Sequence, residues 1–197
     1  IEKDVRKLNG NGDFRSDECI ELLKQADIVV TNPPFSLFRE YVKVLMDNNK
    51  DFVILGNMNA ITYKEVFPYI KENKIKMGYG FNKVMEFDVP DTYKSENGVV
   101  KVPAICWYTT LQISKYHENM VLFRKYNPEA YPRYDNYDAI NVDKTCDIPY
   151  DYDGAMGVPI SFIEKYNPNQ FDIIDKLRPI VNGVVKYQRI IIKNKYK

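Results

Sequence analysis

The sequence predicts an α/β protein whose first half forms a mostly parallel sheet with an antiparallel edge. Short apolar runs such as "DIVVT" and "DFVILGN" alternate with segments of helical periodicity up to about residue 75. Strands that alternate with helices at this spacing are typical of βαβ units, in which helices cover both faces of the sheet. The chain has 197 residues, of which 45% are apolar, so it can bury one sizeable core.

The first predicted elements are a helix, a strand and a second helix. "SDECIELLKQA" has helical spacing of its apolar residues, acids in its first turn and Ser16 as a natural N-cap. "DIVVT" is β-branched and predicts a strand buried on both faces. "SLFREYVKVLMDNNK" places its apolar residues on one side and predicts an amphipathic helix.

The next segments predict a second buried strand, a helix and an antiparallel pair. "DFVILGN" is the strand, and "ITYKEVFPYIKEN" opens with a capping box formed by Thr62 and Glu65. Pro68 should kink or shorten that helix. "KVMEFDVP" and "VVKVPAICWYTTLQI" predict two strands joined by a turn at "SENG".

The pattern changes at about residue 125. From there the chain is rich in Tyr, Asn, Asp and Pro, and its weak periodicity predicts loops and short elements packed on the same domain. Only "VVKYQRIIIKN" predicts a further strand. We therefore divide the chain into an α/β region, 1–124, and an irregular extension with a basic C-terminal segment, 125–197.

Composition excludes several classes of protein. Lys and Arg total 28 against 27 for Asp and Glu, so overall charge does not indicate nucleic acid binding, although the C-terminal segment is basic. The three cysteines are far apart, which argues against a disulfide framework and a metal site. No apolar run has the length of a membrane span and no signal peptide is recognisable, which favours a cytoplasmic location. Because the chain begins at Ile1 rather than Met, we expect that it is not a complete translation product.

"DIVVTNPPFSLF" places an unusual loop directly after a predicted strand, at the edge where open α/β sheets bind ligands. Pro33 and Pro34 fix their φ angles, and Asn32 is pushed into an extended conformation. The resulting stiff loop presents an amide, carbonyl oxygens and the Phe35 ring, which suit a planar ring bearing an exocyclic amino group. The alternative is that the prolines only end the strand and that Phe35 packs in the core.

Four segments carry a resemblance to a known family: "GDFRSDECIELLKQADIVVTNPPFSLFREY", "NAITYKEVFPYIKENKI", "YDNYDAINVDKT" and "GAMGVPISFIEKYNPNQFDII". Together they resemble the EcoRI-type adenine-specific DNA methyltransferases over nearly the whole chain. The resemblance implies a Rossmann-like fold that uses S-adenosylmethionine as cofactor. It also implies methylation of adenine in double-stranded DNA, within a restriction–modification system and without a metal.

The resemblance assigns catalysis to Asn32, Pro33, Pro34 and Phe35. Asn32 and the Pro33 carbonyl would accept hydrogen bonds from the amino group of an adenine flipped out of the duplex, and Phe35 would stack on its ring. Hydrogen bonding would leave the nitrogen lone pair directed at the methyl donor, so no nucleophilic side chain is needed. The single histidine, His117, is interpreted as an ordinary surface residue.

The resemblance also implies three further sets of contacts. Asp13 and Phe14 of "GDF" would bind the adenine of the cofactor, although a turn with Phe14 in the core is an alternative. Phe81 and Asn82 would contact the flipped base, with a core position as the alternative for Phe81. The predicted phosphate contacts are Lys186, Arg189, Lys193 and Lys195.

The sequence departs from the family pattern in one respect. No strand with a glycine-rich turn and no acidic ribose-binding residue precede "NPPF", so we expect the N-terminal strands of such a fold to lie upstream of Ile1. Two alternatives therefore stay open. One is a methyltransferase that acts on RNA or on protein glutamine, and the other is a non-catalytic DNA-binding relic.

Overall fold

A computed structural model of the chain describes residues 7–81, 83–90 and 98–195. The described helices are α1 (Asp17–Gln25), α2 (Phe38–Asp47) and α3 (Phe67–Lys71). The strands of the first half are β1 (Ile28–Thr31), β2 (Asp51–Asn57), β3 (Lys76–Met77), β4 (Met85–Asp88), β5 (Val99–Val102) and β6 (Ile105–Thr109). None of the helices in these ranges is long and apolar enough to cross a membrane.

The first sheet has four strands in the order β1-β2-β6-β3 and is mixed. β1 and β2 are parallel, whereas β6 is antiparallel to both of its neighbours, β2 and β3. The prediction of a mostly parallel sheet is therefore wrong for the described residues. The reason is the connection: β3 and β6 are joined through the β4–β5 hairpin rather than through a crossover helix, so the chain returns antiparallel.

β1 is an edge strand with an exposed side. Its one strand partner among the described residues is β2, and Ile28 and Val30 are 48% and 70% exposed. The prediction that "DIVVT" is buried on both faces is therefore wrong for this part of the chain. The β-branched composition indicated a buried strand, but it could not show which neighbours cover it.

Local signals place the helices largely as predicted. The Ser16 hydroxyl accepts the Cys19 backbone N–H at 3.3 Å and caps α1, as expected. The predicted capping box is wrong, since the Thr62 hydroxyl donates to the Asn59 carbonyl at 2.9 Å, within a 3₁₀ helix over Met58–Thr62. α3 begins only at Phe67, so Pro68 lies in its first turn, where proline is well tolerated, and does not kink the helix.

The second half is more regular than predicted. It forms a second four-stranded sheet in the order β7-β8-β12-β9, in which only the β7–β8 pair is parallel. Its strands, with a two-stranded hairpin, are β7 (Ile140–Asn141), β8 (Met156–Pro159), β9 (Phe171–Leu177), β10 (Ile180–Val181), β11 (Val184–Val185) and β12 (Arg189–Asn194). β12 confirms the predicted final strand. Ile190, Ile191 and Ile192 are all fully buried, so the strand lacks the alternation that reveals a half-exposed strand.

One hydrophobic core joins the two sheets. It contains Phe38 and Phe52 from the first half together with Phe162, Phe171 and Ile190 from the second. The extension from residue 125 is thus packed on the same core as the α/β region, and the division at residue 124 stays a prediction.

We expect Gly56→Ala to destabilise the protein. A Cβ atom at Gly56, inside β2, would lie 2.5 Å from the Phe38 ring and 2.8 Å from the Tyr108 ring, and both rings are buried. Overpacking of this kind costs about 1–3 kcal/mol, measurable as a lower urea midpoint. Gly10→Ala is the control, because its Cβ would make only an ordinary contact with Glu18, at 3.5 Å. Equal midpoints for the two variants would contradict the packing at Gly56.

Candidate active site

The loop of Asn32, Pro33, Pro34 and Phe35 lies at the carboxyl edge of the parallel strand pair. β1 ends at Thr31 immediately before this loop, and the parallel register brings the end of β2 to the same edge. Pro33 is buried and the other three residues are exposed, Phe35 by 40%. The Pro34 carbonyl accepts the Leu37 N–H at 3.0 Å and begins the turn that leads into α2. The predicted strand–loop–helix context of the motif is confirmed.

The Asn32 side chain is available to a ligand. It is exposed, and within the described residues its amide makes no hydrogen bond to another protein group. An amide held on a stiff loop without an internal partner can both accept and donate hydrogen bonds to a bound molecule.

A cavity of about 730 Å³ lies between this loop and the β4–β5 hairpin. Beyond the loop residues, the described part of its lining is entirely apolar and consists of Leu55, Phe87, Val89, Val100, Val102 and Ile105. Phe87 pairs with Val100 across the hairpin, and both line this cavity. Apolar walls beside a single amide suit a flat ring with one polar edge.

A second cavity of about 420 Å³ lies against the same loop. Asn32, Pro33 and Pro34 line both cavities, and the second is completed by Asn11, Gly12, Asp13, Phe14, Thr31, Leu37 and Tyr41. The structure therefore brings the "GDF" and "NPPF" segments together, as the resemblance implied.

Asp13 is strongly acidic because of its partners. Its carboxylate accepts the Arg15 guanidinium at 2.9 Å and 2.7 Å and also the Arg15 backbone N–H at 2.9 Å. These hydrogen bonds lower the pKa of Asp13 to about 2. The guanidinium is also bonded to Glu40 at 2.7 Å, which holds it in place. A carboxylate has about four acceptor sites, so Asp13 can still accept a ligand donor.

Phe14 lies beside a second aromatic ring. It packs edge-to-face on Tyr41 with the ring centroids 5.0 Å apart, and both residues line the smaller cavity. The alternative of a turn with Phe14 in the core does not hold, because Phe14 is only half-buried. An aromatic edge next to a carboxylate suits a ligand ring that carries an amino group.

Phe81, the expected second aromatic of the base site, does not line the cavity. It is 2% exposed and belongs to the core, which favours the alternative given for it over a contact with a flipped base. Asn82 lies outside the described residues. Phe87 lines the larger cavity with Phe35 instead, and we had not predicted this. The alternation of "MEFD" marks Phe87 as lying on an apolar strand face, but only the tertiary packing shows that this face meets the loop.

The predicted phosphate contacts differ in availability. The prediction that Arg189 contacts a phosphate is not supported here, because its side chain is 12% exposed and pairs with Asp143 at 3.1 Å. Lys195 is bonded to the Pro168 carbonyl at 2.6 Å and to Asp172 at 3.1 Å. Lys193 is exposed and Lys186 is half-buried. His117 is exposed in a short 3₁₀ helix, away from both cavities.

The family described as "Adenine-specific methyltransferase EcoRI" matches residues 1–195. The chain belongs to that family. It is 50% identical over 210 residues to Type II methyltransferase M.EcoRI of Escherichia coli, an alignment that covers 97% of this chain. It is 43% identical over 223 residues to Type II methyltransferase M.MgeORF184P of Mycoplasma genitalium, covering 95% of the chain.

A third member, Type II methyltransferase M.MpnI of Mycoplasma pneumoniae, is 41% identical over 191 residues, covering 89% of this chain. The chain spans only part of these relatives: 64% of M.EcoRI, 70% of M.MgeORF184P and 60% of M.MpnI. No solved structure matches the chain. Membership of the EcoRI methyltransferase family therefore rests on sequence similarity over nearly all of this chain.

We expect the Asp13 carboxyl to titrate far below its usual range. Its contribution to stability is complete above the ordinary pKa of 3.8 and is lost as the pH falls through about 2. Carboxyl carbon shifts followed by NMR should show this midpoint, and Arg15→Gln should raise it towards 3.8. Glu40→Gln is the control, because it removes the other partner of Arg15 and leaves the Asp13 hydrogen bonds in place. An unchanged midpoint in Arg15→Gln would contradict the pairing.

Proposed function

We propose that the chain is the catalytic part of an adenine-specific DNA methyltransferase of a restriction–modification system. It would transfer a methyl group from S-adenosylmethionine to an adenine of double-stranded DNA, in the cytoplasm. The observation that carries this proposal is the Asn32–Phe35 loop, whose amide has no hydrogen-bond partner among the described residues and lies between an apolar cavity and a smaller one beside Asp13. The relatives' name, Type II methyltransferase, supports it.

The larger cavity fits an adenine that has left the base stack. An amino group inside a duplex is out of reach of any enzyme group, so the base must be flipped before it reacts. In the cavity, Phe35 and Phe87 offer ring faces, and the valines of β5 complete an apolar wall. Asn32 and the Pro33 carbonyl provide acceptors for the two amino protons.

The loop acts by holding the reacting nitrogen in place. Hydrogen bonds accepted by Asn32 and the Pro33 carbonyl favour a pyramidal amino nitrogen with an available lone pair. Because Pro33 and Pro34 restrict the backbone, the acceptors are positioned before the base arrives. The nitrogen loses a proton to water after it gains the methyl group, so no side chain has to act as a strong base.

The smaller cavity suits the adenine end of the cofactor. Asp13 is ionised at neutral pH and can accept from an amino group, while Phe14 and Tyr41 offer aromatic surface. When bound, S-adenosylmethionine supplies a methyl group on a positively charged sulfur, which leaves as a neutral thioether. Asp13 and Phe14 would hold this cofactor on the far side of Asn32 from the target base.

The exposed side of β1 supports a larger, Rossmann-like sheet. Ile28 and Val30 are apolar and exposed at the edge next to the catalytic loop. We infer that an additional strand pairs with the free edge of β1 and carries the glycine-rich turn of the fold, and that its connecting helix covers Ile28 and Val30. The greater length of the relatives is consistent with this arrangement.

Methyl transfer to DNA tests the proposed function directly. The full-length protein, given methyl-labelled S-adenosylmethionine and unmethylated duplex DNA, should place label on adenine. Asn32→Ala should lower the rate by at least about 100-fold, since it removes a preorganised hydrogen-bonding group. Asn59→Ala is the matched control, because this exposed asparagine lies on the same edge but lines neither cavity, and it should retain activity.

Other outcomes of the same assay separate the alternatives. Label on RNA or on protein, but not on DNA, would show that the protein carries out the proposed methyl transfer on a different acceptor. DNA binding without any transfer would indicate a non-catalytic relic. Full activity in Asn32→Ala would refute the role of the loop.

Phe87 should be important for holding the flipped base. Stacking of one base on an aromatic ring is worth about 1–3 kcal/mol, so Phe87→Ala should lower kcat/KM for DNA by about 10-fold or more. Asp88→Ala is the control, because its exposed side chain lies on the same strand but does not line the cavity. Equal kcat/KM values for the two variants would exclude Phe87 from the base site.

A further inference from the structure

The β10–β11 hairpin presents an unusually exposed apolar surface. Val184 and Val185 are 59% and 55% exposed, and Tyr187, just beyond β11, is 85% exposed. Three large apolar side chains that are more than half exposed within four residues of sequence indicate a binding surface.

The turn geometry and hydrogen bonds to a neighbouring segment hold the hairpin in place. Its two-residue turn, Asn182–Gly183, has φ angles of 50° and 76°, the positive values typical of a tight type I′ hairpin turn. The Asp135 carboxylate accepts the Gly183 N–H at 2.8 Å, and the Asn136 side chain accepts the Ile180 N–H at 2.9 Å. The exposed valines are therefore presented on a fixed scaffold.

The hairpin also lies on the substrate side of the molecule. Near the end of β9, the Lys176 ammonium group contacts the Thr62 carbonyl. Thr62 ends the 3₁₀ helix that directly follows β2, so this end of β9 lies at the same edge as the catalytic loop. The chain enters the hairpin at Ile180, three residues after β9 ends at Leu177.

Charge at the base of the hairpin favours a polyanion. Arg178 precedes β10 and is exposed, and Lys186 follows β11. The Asp135 carboxylate lies at the turn, where it accepts the Gly183 N–H. Exposed valines flanked by two cations match a DNA groove, in which phosphates line the rims and bases form the floor.

We propose that the β10–β11 hairpin enters the major groove of the DNA substrate and reads a thymine methyl group through Val185, since Val184 pairs with the buried Val181 and lies on the opposite face of the ribbon. This proposal rests on the proposed function. The major groove admits a two-stranded ribbon, and the thymine C5-methyl group is the apolar group that it exposes. Any duplex site with a target adenine contains at least one thymine, so the ligand is present. Lys186 and Arg178 contact the flanking phosphates.

Replacing thymine by deoxyuridine tests the proposal, because it removes only the methyl group. The full-length protein is titrated by fluorescence anisotropy, at one salt concentration, against duplexes carrying the site that it methylates, each with one thymine replaced. For wild type, at least one replacement should weaken binding by about 5-fold or more. In the Val184→Ala, Val185→Ala double variant, thymine and deoxyuridine duplexes should bind equally.

Val121→Ala is the matched control, because Val121 is an 84% exposed valine outside the hairpin and should leave the discrimination unchanged. Equal unfolding midpoints verify that the double variant is folded. Equal affinity of wild type for all the duplexes, or full discrimination by the double variant, would overturn the hairpin proposal and leave the exposed valines to a protein partner. Failure to methylate any DNA would instead refute the proposed function, so the two failures are distinguishable.

Discussion

The parallel pairing of β1 with β2 is the constraint on which the candidate site depends. It brings the carboxyl ends of both strands to one edge, so the residues that follow each strand meet there. Pro33 and Pro34 then make the segment after β1 a stiff loop, and one cavity lies on each side of this loop. Three consecutive residues, Asn32, Pro33 and Pro34, therefore line both cavities and separate them.

The second sheet contributes to the same edge. It shares the core with the first sheet, and Lys176 joins the end of β9 to the segment that follows β2. The β4–β5 hairpin forms the far wall of the larger cavity, and the β10–β11 hairpin directly follows the end of β9. One part of the molecule would therefore hold the base and the cofactor, while an adjacent part would face the groove of the DNA.

Short sequence patterns were sufficient to predict the structural features that depend on neighbouring residues. The loop formed by the proline pair and the Ser16 cap could be predicted, because each depends on residues near in sequence. The cofactor contacts of the "GDF" segment stay a prediction. The sequence could not show which of Phe81 and Phe87 lines the cavity, since only tertiary packing decides which ring is buried. The burial of Arg189 also depends on a distant partner, Asp143. The β10–β11 hairpin did have a local signal, the Asn-Gly pair at 182–183, which we did not use.

Photo-crosslinking of the target base tests the central claim most directly. A duplex with 5-iodouracil in place of the target adenine is irradiated with the full-length protein, and the linked peptide is mapped by mass spectrometry. We predict linkage to Phe35 or Phe87, the two rings of the larger cavity. Linkage to a residue outside that cavity, such as the exposed Phe123, would contradict the assignment of the base site.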